Sequence, residues 1–468
     1  MNLIKTTGMY FIGNFASKLL IFFLLPIYTA YLSADEYGVA DLLISLLPLF
    51  GPIFTFQVTE SVFRFLFDKK SIAEKKTCIS SSLCIFVVGV AFFIIFFLMI
   101  NAIFSIPYKE VFIFYFISTY LGTFFQQVAR GFGYSGAYAI SGALSTAISA
   151  GLNVVLIVGL SFQGDALLIA AGISSVFICI FLSARIKAWR YISVKSIKKT
   201  EVINQIKFSL PLIPNQISWW ALGLFGKYIL MFFHGSELVG ILAFANIFPN
   251  AITMVFQIFF LAWVENSIRS YQEKKNWNQF AEMFSVVVPI IFGLSMVLLP
   301  VVGIYSTLTI NHDYLIGLIF VPGLILASVF NCFATFLGSA YTVLKKTNSA
   351  FTTTVVAAIV NVIISIFTIP YFGLVGYMIA NVACYIALYI VRIVSVRKLM
   401  GRNISSIKVA LGTVIFILYS FVFIEGNSIF VYAGLLIAGV FLMILLNRTL
   451  ILKIISEKKA RKEQNQDS

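Results

Sequence analysis

Ionisable and amide side chains recur at helical spacing inside long apolar stretches of this chain. Lys18 stands in the middle of the stretch 8–32, with Tyr10, Asn14 and Ser17 on the same helical face. Gln57, Glu60, Ser61 and Arg64 share a face of the next stretch. Gln216, Gly223 and Lys227 align further on, and Asn246, Asn250, Thr253 and Gln257 follow at spacings of four, three and four. A charge at the centre of an apolar span costs about 2.5–3.5 kcal/mol on insertion scales, so its presence asks for a partner or a task. Lys18 is 13 residues from Lys5 and 17 from Asp35, about 20 and 25 Å along a helix. Snorkelling to either surface is a stretch at that depth. Lys18 is therefore assigned to binding, with a buried pair to a carboxylate such as Glu60 as the plainer alternative. Glu60 and Arg64 lie four apart on one helical face and are expected to pair with each other. Lys18, Arg64 and Lys227 are suited to donate to an anion, phosphate oxygens above all. Asn14, Gln57, Asn250 and Gln257 add neutral hydrogen-bonding groups. Arg130, at a helix end, is a further candidate whose bland reading is a solvated terminus. The five cysteines form no CxxC pair and His234 and His312 stand apart, so no metal centre, disulfide or cofactor is expected.

The elements that position these residues must be membrane-spanning helices. Of 468 residues, 60% are hydrophobic and only 11% charged, with a mean hydropathy of +0.99. A soluble domain needs about a quarter of its residues charged, so a soluble enzyme is excluded. At about twenty residues per crossing, the apolar content allows about fourteen spans. They fall near 8–32, 41–67, 78–104, 111–133, 138–162, 166–184, 208–233, 238–264, 283–308, 314–343, 350–372, 374–395, 409–424 and 429–447. The first span is too long for a cleaved signal peptide and carries Lys18 in its middle. The net charge of +15 would suggest nucleic acid in a soluble protein, but here the basic residues lie in short loops. With the N-terminus inside, 29 of the 33 Lys and Arg residues fall in cytoplasmic segments, three within spans, and Lys109 alone outside. The acids show no such bias, as the positive-inside rule expects. Both termini are thus expected in the cytoplasm.

An internal repeat organises the spans. Asn153 and Asn361 are 208 apart, Gly164 and Gly373 are 209 apart, Gly38 and Gly240 are 202 apart, and Pro48 and Pro249 are 201 apart. Six spans separate the copies, so they face the same way, and parallel six-helix halves are a transporter architecture with a site between them. The expected fold is an all-α polytopic membrane protein of two parallel six-helix lobes plus two C-terminal helices. The expected domains are a first lobe over 1–195, a basic cytoplasmic linker over 196–207 and a second lobe over 208–400. Two further helices over 401–447, facing lipid, and a polar cytoplasmic tail over 448–468 complete the chain. Pro26, Pro48, Pro52, Pro211, Pro214 and Pro249 permit hinges in the lining helices.

The opening IGNFASKLLIFFLLPIYTAYLSADEYGVADLL resembles the start of bacterial oligosaccharide flippases of the polysaccharide transporter (Wzx-type) family. That family lies within the multidrug/oligosaccharidyl-lipid/polysaccharide exporter superfamily. The segments FSLPLIPNQISWWALGLFGKYIL (208–230) and VGILAFANIFPNAI, and the pattern around Asn361 to Ala380, are similar too. The resemblance covers most of the first twelve spans. It implies transfer of an undecaprenyl-pyrophosphate-linked sugar unit, for O-antigen, capsule or a similar polymer, to the outer leaflet of the bacterial cytoplasmic membrane. The mechanism it implies is alternating access between two lobes, with polysaccharide polymerase or ligase machinery as partners. It also implies a basic cavity, which Lys18, Arg64 and Lys227 match by span. Relatives often carry Asp-Arg where this chain has Gly226-Lys227, which puts their ion coupling in doubt here. The last two spans resemble those of the peptidoglycan-precursor flippase branch, where they form a groove for the lipid tail. The alternative is an ion-coupled drug or metabolite antiporter on the same scaffold, which would favour an acidic cavity. An ATP-driven pump lacks its GxxxxGK[ST] loop, and a polymerase or ligase lacks the large outer loop it would need. Energy would come from an ion gradient or the membrane potential.

Overall fold

The computed structural model describes residues 23–448 except 275, 276, 345, 402, 403 and 427. Asn14 and Lys18 lie outside the described residues, as does the tail from 449. Every regular element among the described residues is helical, and eleven of the helices are long and apolar enough to cross a membrane. The chain is a multi-pass membrane protein. It divides into two compact units, Met1–Ala243 and Phe244–Ser468.

In the first unit, helix Ala34–Phe54 starts at a capping box in which Ser33 and Glu36 satisfy each other's backbone N–H groups. Ser71 and Glu74 start Ile72–Phe104 the same way. Such caps supply the orphan donors of a first turn with acceptors before the apolar run begins. Lys109–Gly131, Ser135–Val154 and Asp165–Ile186 follow. The core between them is aromatic, with Phe93, Phe97, Phe112 and Phe116 fully buried. Tyr191, Ser193 and Lys198 then bring the chain across three consecutive serines. Ser80 Oγ donates to Tyr191 O and accepts from Ser193 N (2.9 Å), Ser81 Oγ accepts from Lys198 N, and Ser82 Oγ donates to Gln205 Oε1 at 2.7 Å. Lys69 and Glu201 add an ion pair at 3.2 Å. The basic connection is thus fastened to the first unit along helix Lys199–Ser209.

In the second unit, Thr347–Met400 is broken at Gly373, whose φ of 53° and ψ of −122° are accessible to glycine and costly for other residues. Its two arms fold back on each other. Arg392 Nε reaches Thr353 Oγ1 (3.3 Å) and its Nη2 reaches Thr354 Oγ1 (3.1 Å), while Thr368 Oγ1 donates to Gly376 O (3.0 Å). The break divides the helix where the spans 350–372 and 374–395 were read. Ile407–Glu425 and Ile429–Leu446 pack on Asn278–Thr309, with Asn447 Nδ2 donating to Pro289 O at 3.3 Å. Their outer faces expose Leu418, Phe421, Phe430, Ile437 and Phe441, an apolar surface suited to lipid.

Candidate functional site

The seventh apolar span is two short helices, Ile213–Gly223 and Phe225–His234, joined at Leu224. The break carries Lys227 against Ala34–Phe54, where its Nζ donates to the Asp41 carboxylate. The Lys227 side chain is 7% exposed and that of Asp41 23%. The residues around the pair tie Ala34–Phe54 to both short helices and to Ser236 beyond them. Tyr228 OH donates to Leu42 O at 3.0 Å and lies 2.5 Å from Ser45 Oγ, and Trp220 Nε1 donates to Ser45 O at 2.9 Å. Ser236 Oγ donates to Asp35. Ala34–Phe54 crosses the start of the next helix, Ser236–Lys274, at two glycines. A Cβ on Gly38 would stand 1.9 Å from Ser236 O, and one on Gly240 would stand 1.8 Å from Ala34 O. Glycine is required at both because only a missing side chain lets the helices approach so closely. The repeat equates Gly38 with Gly240, and the fold makes them neighbours. Nearby, burial pushes the Tyr108 phenol up, and Asp165, Glu36 and Asp35 push in the same direction.

A second feature is a cavity of about 260 Å³ lined by Leu47, Pro48, Pro52, Gln57, Tyr120 and Gln216. It lies where the second span is interrupted. Ala34–Phe54 ends, Phe56 and Gln57 adopt φ of 50° and 52°, and Val58–Asp68 begins. Left-handed backbone at non-glycine residues costs about 1–3 kcal/mol and persists where its surroundings enforce it. At membrane depth an interrupted helix is tolerated when it is buried in protein or lines a wet cavity. Pro48 and Pro52 supply no N–H to the preceding turn, which loosens the helix just before the break. Tyr120 OH donates to Leu47 O (2.7 Å) and fills the space left by Gly51, where a Cβ would lie 1.6 Å from it. Gln57 and Gln216, read on the polar faces of the second and seventh spans, thus border one cavity.

The remaining candidates are dispersed. Glu60 and Arg64 do not pair. Arg64 instead bonds Asp68 at 2.6 Å, with its side chain 53% exposed. The interruption leaves Glu60 in the first turn of a new helix, where the positive end of the helix dipole favours a carboxylate. Arg64 turns the other way, toward the end of that helix. Arg130 donates to Gln127 Oε1 at 3.0 Å, and its guanidinium lies 4.4 Å from the Phe63 ring centroid. Asn250 and Gln257 are exposed on the helix Ser236–Lys274, in the second unit.

Asp41 was missed as a partner because it opens its span and counts among the loop acids. Its register gave a signal. Gly38, Asp41 and Ser45 follow at spacings of three and four, which puts Asp41 on the face of the repeat glycine.

The profile of the family described as polysaccharide biosynthesis protein matches residues 3–264. The chain belongs to that family. Among curated proteins none matches the sequence. Among solved structures, the lipid II flippase MurJ in an inward closed conformation aligns with a TM-score of 0.76. That alignment has 14% identity and covers 95% of this chain and 99% of the other. An inward-facing multidrug resistance MATE family transporter of the MOP superfamily aligns with a TM-score of 0.57 and 14% identity, covering 85% of this chain and 96% of the other. At these identities the likeness is one of fold. This member of the polysaccharide biosynthesis family therefore has the fold shared by a flippase and by MATE transporters.

Proposed function

We propose that the protein is a flippase that carries undecaprenyl-pyrophosphate-linked oligosaccharide from the cytoplasmic to the outer leaflet of the bacterial cytoplasmic membrane. The observation that carries this reading is the family match to residues 3–264 on a fold that aligns with a lipid II flippase over 95% of the chain. The arrangement of Lys227 gives the reading a physical form. With both termini cytoplasmic, the Lys227–Asp41 pair and the Gly38–Gly240 crossing would lie toward the outer ends of their spans. A pyrophosphate takes Lys227 only by competing with Asp41, so binding of the anion loosens that contact. Lys18, Asn14, Gln57 and Arg64 are the groups proposed to meet the headgroup from the first two spans. Moving negative charge outward is favoured by an inside-negative potential, at about 2.3 kcal/mol per charge per 100 mV. No bound cofactor is needed for that.

The test uses cells lacking the protein and a membrane-impermeant probe for lipid-linked oligosaccharide. Accumulation on the cytoplasmic face, relieved by the wild-type chain, is the expected result. A normal leaflet distribution together with altered drug tolerance overturns the flippase and leaves the antiporter. In the flippase, polymerase or ligase enzymes take up the exported unit.

A further inference from the structure

The first unit holds a second cavity of about 280 Å³, whose described lining includes neither Lys227 nor Asp41, between Leu24 and Tyr28 and the helices Lys109–Gly131, Ser135–Val154 and Asp165–Ile186. Of the twelve described residues that line it, nine carry a hydroxyl or carboxamide and none is charged. Its volume is that of roughly nine waters, the scale of one sugar ring. The sequence makes the room: Ser145, Thr146, Ser149 and Ala150 present only small side chains to it.

Two of the polar groups have no partner among the described residues. Asn153 Nδ2 donates to Tyr28 OH at 2.8 Å, yet Asn153 Oδ1 is buried with no hydrogen-bond partner, and so is Thr119 Oγ1. Asn153 is 6% exposed. A buried polar atom left without a partner costs free energy and asks for an explanation. The repeat supplies an internal comparison. Asn361, the equivalent of Asn153, has its carboxamide oxygen occupied by Ser365 Oγ at 2.9 Å. The open oxygen is therefore not a requirement of the repeat. Two residues after Asn153 the helix widens into a π segment, Val155–Gly159, a form that concentrates at functional sites.

The lining selects the ligand. Among the described residues the lining has no Lys, Arg or His to hold a pyrophosphate and no carboxylate to counter a cation's charge. Its hydroxyls are wasted on a lipid tail. Hydroxyls and carboxamides that both donate and accept, flanked by the rings of Tyr28 and Tyr115, match a neutral pyranose. We infer that this cavity is a sugar subsite, taking one uncharged ring of the saccharide while the pyrophosphate stays with the cationic groups. The inference rests on the flippase reading.

The test uses the full chain in lipid nanodiscs and two probes, undecaprenyl pyrophosphate and the same lipid bearing one N-acetylhexosamine. Thr119→Val removes an oxygen that bonds nothing at constant shape, so the fold is preserved. Asn153→Leu removes the second acceptor. Wild type is expected to bind the glycosylated lipid more tightly. Thr119→Val is expected to cut that preference about five-fold and Asn153→Leu about ten-fold, the scale of one neutral hydrogen bond or slightly more. Affinity for the sugar-free lipid stays unchanged. Unaltered preference in both variants overturns the subsite and leaves a hydrated cavity. Equal losses for both lipids overturn it in favour of a structural role. Sodium-dependent stabilisation lost in Asn153→Leu, with no sugar preference in wild type, overturns it in favour of a cation site. Wild type binding neither lipid overturns the flippase reading itself.

Discussion

The Lys227–Asp41 pair sets an unequal penalty on its two halves. Replacing Asp41 by Leu strands an ammonium whose side chain is 7% exposed, whereas replacing Lys227 by Met leaves a carboxylate that is 23% exposed and can draw in water. Two charges about 4 Å apart interact by about 4 kcal/mol at an effective dielectric constant near 20. Removing one partner of a buried pair costs about 3–5 kcal/mol. With Asp41 partly solvated, we expect about 3 kcal/mol for Asp41→Leu and about half that for Lys227→Met. The double variant should lie close to wild type, because two apolar side chains can replace a buried pair at little cost. For a unit of 243 residues, about 2–4 °C per kcal/mol puts Asp41→Leu roughly 6–12 °C below wild type. The assay is a thermal double-mutant cycle in nanodiscs, read beside export in cells. A coupling below about 0.5 kcal/mol refutes the pair, since independent sites add to within that margin. Normal export by the folded double variant refutes a role for Lys227 in moving the anion.

Gly38→Ala places a methyl group 1.9 Å from Ser236 O. It should destabilise by about 1–3 kcal/mol and abolish the Asp41–Lys227 coupling in the same cycle. Gln205→Leu removes the bonds to Ser82 Oγ and Cys78 O. Trypsin cleavage between Lys195 and Lys207 should then speed up by ten-fold or more if opening limits proteolysis, and unchanged cleavage would mean the serines do not hold the connection. Lys18→Ala should abolish export while Lys18→Arg retains part of it, and full export by Lys18→Ala at normal protein levels would remove Lys18 from the site.

Much of the fold was legible because apolar runs and basic loops report the cost of burying polar groups in lipid, and that cost is local in sequence. Ile72–Phe104 and Asn278–Thr309 coincide with runs read from composition alone. Gly373 was read as a repeat position and proves to be the turn between two arms. The interruptions at 55–57 and Leu224 left weaker traces. Pro48 and Pro52 marked a loosened helix, but Phe56 and Gln57 are ordinary residues held in left-handed backbone by their surroundings. Glu60 and Arg64 were read as partners; the break at Gln57 starts a helix whose first turn holds Glu60, and Arg64 pairs with Asp68 at its far end. Asp41 is the clearest case of long-range information. Nothing adjacent to it in sequence announces Lys227.

That separation of 186 positions has a consequence for biogenesis. At about 5–20 residues per second, roughly ten to forty seconds pass between synthesis of Asp41 and arrival of its partner. Asp41 is the eighth residue of Ala34–Phe54, about 10 Å from the helix start. Shallow placement lets the carboxylate rest at the aqueous boundary during that interval, while Lys227 meets a waiting counter-ion as it enters. The order of synthesis thus favours putting the acid, which is made first, near a helix end.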